Sequence, residues 1–196
     1  MKSFSAYDII VVLFIGGFFL MAKKKDVGKY LGFGAALLAL VALIMMFLPG
    51  LTFTRLGKEE SDSVFKIVFG GTLYENTDIR TKITYKFNFL SCLTAIFVIL
   101  GFVLTVLAVL KIGNAKLWAF IGAILLIVGG ILAFCLVSLT SVNLTVNNTT
   151  TPYKIAEAKN TAVNIADVKL GTGAILTGVF GIIGGVASLG RAVIGK

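Results

Sequence analysis

Apolar residues in this chain come in long runs, separated by short basic clusters and by two longer polar stretches. Five runs approach the length a helix needs to cross a bilayer, about 20 residues with a range of roughly 17–25. They cover residues 6–22, 30–49, 87–110, 117–140 and 172–194. The first is the shortest: its apolar part, residues 9–21, would span only about 20 Å as a helix. Lys23, Lys24 and Lys25 follow it, with no A-x-A cleavage pattern. It therefore reads as a retained anchor with its lysines snorkelling at one interface. The other reading is a helix lying in the interface, which leaves four spans.

The stretch at 50–86 has a different period. In "DIRTKITYKF", Ile79, Thr81, Ile83, Tyr85 and Phe87 alternate with Arg80, Lys82, Thr84 and Lys86, which predicts a strand with one buried and one wet face. "SVFKIVF" reads as a second strand, with Phe65, Ile67 and Phe69 on one face, and "LTFTRLG" as a third. "GGTLYENTD" carries turn chemistry in Gly70, Gly71, Asn76 and Asp78. Glu59, Glu60 and Asp62 read as a solvated acidic loop before the hairpin rather than a calcium site, which needs several converging oxygens. In the second polar stretch, 141–171, Val142, Leu144 and Val146 alternate and predict a strand extending the same sheet. Beyond Pro152, Ile155, Ala158, Ala162, Ile165 and Val168 fall at helical spacing. The expected fold is an all-α membrane bundle of five helices, or four plus one interfacial helix. It carries a small extracytoplasmic antiparallel β-sheet, and residues 1–196 form a single membrane domain.

Composition agrees with this class: 58% of residues are hydrophobic and 14% charged, against about 25% charged in a soluble domain. The net charge of +9 would suggest nucleic acid on a soluble protein. Here the cations sit at the ends of apolar runs, which points to topology control and anionic headgroups instead, with no nucleic-acid partner. Lys23, Lys24, Lys25 and Lys29 face one acid, Asp26; "KIGNAK" holds Lys111 and Lys116 and no acid; Arg191 and Lys196 end the chain. The positive-inside rule then puts the N-terminus outside and the C-terminus in the cytoplasm, in a cell or cytoplasmic membrane. With four spans only the N-terminus changes side.

No Asp, Glu, Lys or Arg lies deep inside a run, which argues against a pump or coupled transporter. There is no histidine and there are two cysteines, so His-based triads and Cys/His metal sites are excluded. No catalytic, cofactor-binding or metal-binding constellation is expected, and the chain does not read as an enzyme. The run Gly178, Gly181, Gly184 lacks the G-K-[ST] ending of a phosphate loop and lies within a span. Cys92 and Cys135 lie at matched depth in adjacent spans, so a disulfide would form if their faces met; free apolar filler is the alternative. Asn143, Asn147 and Asn148 each begin an N-x-[ST] sequon. They would be glycan acceptors in a eukaryote and plain polar loop residues otherwise.

What the spans do carry is small residues along one helix face. In the last span these are Ala174, Gly178, Gly181, Gly185, Ser188 and Ala192; in the second, Gly32, Ala35, Ala39 and Ala42. The third has Thr94, Gly101, Thr105 and Ala108, and the fourth Ala119, Gly122, Gly129 and Ala133. Small residues let helix backbones approach closely in lipid.

Spans two to five, with a β-rich first outer loop, a very short inner loop and a smaller second outer loop, resemble the claudin-like tetraspan arrangement. The resemblance covers residues 30–196 and lies in topology. The family's first loop carries a tryptophan motif and a cysteine pair, whereas here the only tryptophan is Trp118, at the inner end of span four. Junction-forming function is therefore not carried over. The expected role is a structural or accessory membrane subunit. It would pack through its small-residue faces and present the β-rich cap to other membrane subunits or to its own copies. The alternative is an oligomeric pore lined by small and hydroxyl residues such as Thr94, Thr105, Thr177 and Ser188.

Overall fold

The computed structural model describes residues 27–55, 57–76, 80–155 and 165–194. The first apolar run and its lysines Lys23, Lys24 and Lys25 lie outside the described residues. So do Ala158 and Ala162 of the expected helix after Pro152.

Among the described residues four helices are long and apolar enough to cross a membrane: α1 (Val27–Met45), α3 (Phe89–Val109), α4 (Ala115–Phe134) and α6 (Thr172–Ile194). Two short ones, α2 (Val64–Phe69) and α5 (Leu136–Leu139), lie in the connections. The long helices form an antiparallel four-helix bundle: α1 packs on α3 and α6, and α4 packs on the same two. Side-chain size is inverted relative to a soluble bundle. On α1 the buried residues are Gly32, Ala35, Ala39 and Ala42, while Phe33, Leu37, Leu40 and Ile44 are exposed. Where the surroundings are hydrocarbon, large apolar groups gain nothing by turning inward, and close backbone approach decides the packing face.

Both longer connections emerge at the same end and build a cap of two antiparallel sheets. The first sheet has the order β2–β1–β7, from Lys58–Ser63, Pro49–Arg55 and Ile165–Leu170; the second runs β3–β4–β5–β6, from Thr72–Asn76, Thr81–Lys86, Ser141–Val146 and Thr149–Lys154. The alternation around Ile83 and Tyr85 does make a strand, whose Ile83 and Tyr85 pair with Leu144 and Val142 of β5. Val146 pairs with Thr149 across a two-residue turn. The turn residues Asn147 and Asn148 have φ 47° and 69°, the left-handed geometry of a hairpin turn that asparagine tolerates best after glycine.

Several expectations are corrected. "SVFKIVF" is helix α2, not a strand. The Ser63 side chain accepts from Lys66 N and so caps its start, and Gly70 closes it at φ 83°. Its buried residues Val64, Ile67 and Val68 follow helical spacing, and Phe69 is exposed. "GGTLYENTD" holds strand β3 rather than only a turn, and Glu59, Glu60 and Asp62 lie on edge strand β2 rather than in a loop. The described strands form two sheets instead of one. Ile165 and Val168 belong to β7, which pairs with β1, rather than to a helix. The fourth run breaks at Cys135, which ends α4 and precedes α5.

Cap and bundle share one core. Ala42, Met46, Ala95, Val98 and Ala174 of the long helices and their ends pack in the same cluster as Leu51, Phe53, Ile83, Val142 and Ile165 of the sheets. Asn88 ties the two connections: its Oδ1 accepts from Leu90 N at the start of α3, and its Nδ2 donates to Leu139 O of α5 at 2.6 Å.

Candidate functional site: helix interfaces and the cap network

Helix α6 packs mainly on two helices, α4 and α1, and uses two faces. Toward α4 it turns Gly178, Gly181, Gly185 and Ser188. A Cβ at Gly178 would lie 2.6 Å from the Phe134 ring, and one at Gly181 would lie 3.1 Å from Leu126 O. At Gly185 it would lie 2.6 Å from Ile127 Cγ1 and 2.9 Å from Ala123 O. The Ser188 hydroxyl donates to Ala119 O at 2.9 Å. Toward α1 it turns Gly173, Thr177 and Gly184, and the Thr177 hydroxyl donates to Ala42 O at 3.2 Å. A Cβ at Gly184 would sit 3.4 Å from both Ala35 O and Ala39 N. Ala174 faces the cap core. Gly184 and Thr177 stand out in the sequence without the face they share; the signal for that second face is the adjacent pair Gly184–Gly185, which no single stripe requires.

The α3–α4 seam works in the same way. A Cβ at Gly122 would lie 3.0 Å from Thr105 Oγ1, and one at Gly129 would lie 3.1 Å from Val98 Cγ2. Thr105 donates to Gly101 O at 2.7 Å, while the buried Thr94 hydroxyl has no partner among the described residues. Gly32 faces Arg191, whose guanidinium a Cβ there would strike; Arg191 also donates to Ala108 O. This cross-helix role of Arg191 was not visible in the sequence, where it reads as a terminal cation. Lys29, Lys111 and Lys116 are exposed at the same end.

Cys92 and Cys135 are not bonded to each other: Cys92 is buried and Cys135 is exposed. Matched depth did not bring matched facing, because Cys135 sits at the break after α4. Asn143 lies within β5, and Asn147 and Asn148 form the exposed hairpin turn.

In the cap, polar groups join the two sheets. Arg55 of β1 forms a two-pronged pair with Glu60 of β2, at 2.7 Å for its shortest bond, and lies 4.1 Å over the Tyr74 ring of β3. The Glu60 hydrogen bond holds the Arg55 guanidinium above its ordinary pKa. Tyr85 of β4 donates to Asp62 Oδ2 at 2.9 Å, and Lys66 of α2 donates to Asp62 Oδ1 at 2.5 Å. Burial first, and then the Asp62 charge, push the Tyr85 hydroxyl far above the usual tyrosine range. Glu60 and Asp62 of β2 are thus held by the chain's own cations and a tyrosine. Among the described residues no group of three or more His, Cys, Asp or Glu could hold a metal ion.

Comparison of the chain with protein-family models, with curated proteins and with solved structures finds no match.

Proposed function

We propose that the chain is an integral membrane structural or accessory subunit. Its bundle serves as an anchor, and its β-rich cap is offered to a partner, either another membrane subunit or a second copy. The observation that carries this reading is the single core shared by cap and bundle, which makes the cap a rigid platform at a membrane surface. The small faces of all four long helices are occupied within the bundle, so partner contact falls to the cap. On the cap, β6 is an edge strand with Thr149, Thr150 and Thr151 exposed. Pro152 interrupts its donors, a feature that limits indiscriminate edge pairing. The positive-inside rule orients this end outward and the Lys111–Lys116 turn toward the cytoplasm. The claudin-like layout belongs to the same proposal, supported by strands before and after the α3–α4 pair.

The pore alternative has less support. Thr94, Thr105, Thr177 and Ser188 are buried in the bundle, and three of them donate to backbone carbonyls.

The test is a photo-crosslinking residue at Thr150, with the protein purified from its native membrane in mild detergent. A discrete adduct, lost when the crosslinker is moved to lipid-facing Val128, is the expected result. A monomeric particle with no adduct from the cap would sink the reading. Ion flux from liposomes holding the protein alone would favour the pore instead.

A further inference from the structure

We propose that the basic end of the bundle, opposite the cap, holds the phosphate of an anionic phospholipid at the corner where Arg191 meets Lys111. This site is independent of whatever binds the cap.

Helix α3 ends there in a tight reversal. Lys111 adopts φ 57°, its backbone N donates to Ala108 O at 3.2 Å, and Ile112 N donates to Leu107 O at 3.1 Å. Arg191 of α6 reaches the same Ala108 carbonyl, so its guanidinium and the Lys111 backbone N share one acceptor. Gly32 of α1 leaves the room it crosses. A guanidinium has five N–H donors, and capping a helix C-terminus, the plainest role for Arg191, needs only one. Lys116 lies in the first turn of α4, whose start Asn114 caps by accepting from Leu117 N. Among the described residues of this end, 27–33, 106–119 and 187–194, there is no Asp or Glu.

The surroundings select a lipid over a soluble phosphate. Leu110, Ile112, Leu117 and Val193 are exposed between the cations, Val193 at 81%. Cations interleaved with exposed apolar groups match the boundary where a headgroup phosphate sits above its acyl chains. A site for an aqueous anion has no need of that apolar rim.

The experiment is native mass spectrometry of the full chain in detergent, mixed with equal amounts of phosphatidylglycerol and phosphatidylcholine. The expected result is preferential retention of phosphatidylglycerol. Arg191→Gln combined with Lys111→Gln should reduce that preference on the order of tenfold, while Lys58→Gln in the cap leaves it unchanged. Because Arg191 also packs between helices, the exposed pair Lys111→Gln and Lys116→Gln is measured alongside. It should lower the preference at unaltered thermal stability. Equal retention of the two lipids by the unaltered protein, or an unchanged preference in both double variants, overturns the proposal. Displacement of the bound lipid by millimolar inorganic phosphate would assign the site to a soluble anion and overturn the lipid assignment.

Discussion

A methyl group added at Gly185 would face Ile127 Cγ1 at 2.6 Å and the Ala123 carbonyl at 2.9 Å. The carbonyl belongs to a helix backbone and cannot withdraw without moving α4. Gly185→Leu should therefore destabilise the bundle by about 1–3 kcal/mol, the usual cost of overpacking. It would appear as a lower Tm in detergent. Val186→Leu, on the neighbouring exposed position, should leave Tm unchanged; equal effects of the two would show that α6 does not pack on α4 through this glycine. At Tyr85 the chemistry is protonic. Tyrosine ordinarily titrates near 10, and burial followed by the Asp62 charge raises Tyr85 above that in the fold. Its contribution is fully present below about pH 10 and is lost as pH climbs from there toward the folded value, because only the unfolded chain releases the proton. Tyr85→Phe should cost about 1–3 kcal/mol at neutral pH by leaving a largely buried Asp62 oxygen short of a donor. It should also flatten the alkaline fall in stability, read from unfolding curves between neutral pH and pH 11.

Among the elements, α2 teaches most about local code. Phe65, Ile67 and Phe69 alternate as a strand would, and over seven residues a period of two and a period of 3.6 are hard to separate. The decision came from the ends, where Ser63 caps the first turn and Gly70 takes the left-handed conformation. Both signals stand in the sequence and outweigh the alternation. Ser63→Ala should cost about 0.5–2 kcal/mol in thermal unfolding, with no loss if α2 were held by packing alone. β7 is a different case. Ile165 and Val168 fit a helical stripe, yet β1 had an open edge and took residues 165–170 as its third strand. Strand β1 lies more than a hundred residues earlier in the chain, so no local pattern could announce that pairing.

For the whole molecule, the central relation is between a basic end without described acids and a cap at the other end. If the bundle crosses a membrane, Lys58→Cys and Lys116→Cys must label from opposite sides with a membrane-impermeant thiol reagent. Cys135→Ser is the proper background, since Cys135 is exposed and Cys92 is buried. Labelling of Lys58→Cys alone from the external face of intact cells is the expected result; the reverse would invert the orientation, and labelling of both would refute the crossing. The four described long helices, their ends to within a few residues except where the fourth run breaks at Cys135, the small face of α1 and the face of α6 that meets α4 were written in the sequence by itself. Twenty apolar residues and a small residue every third or fourth position act through the helix repeat alone, which is a local property. Tertiary structure decided how α6 divides its glycines between α1 and α4, and that Cys92 and Cys135 face apart. It also decided that Arg191 reaches Ala108, and that the strands divide into two sheets. Each of these depends on which surfaces meet across the bundle, and such meetings join residues far apart in the chain whose spacing carries no record of their partners.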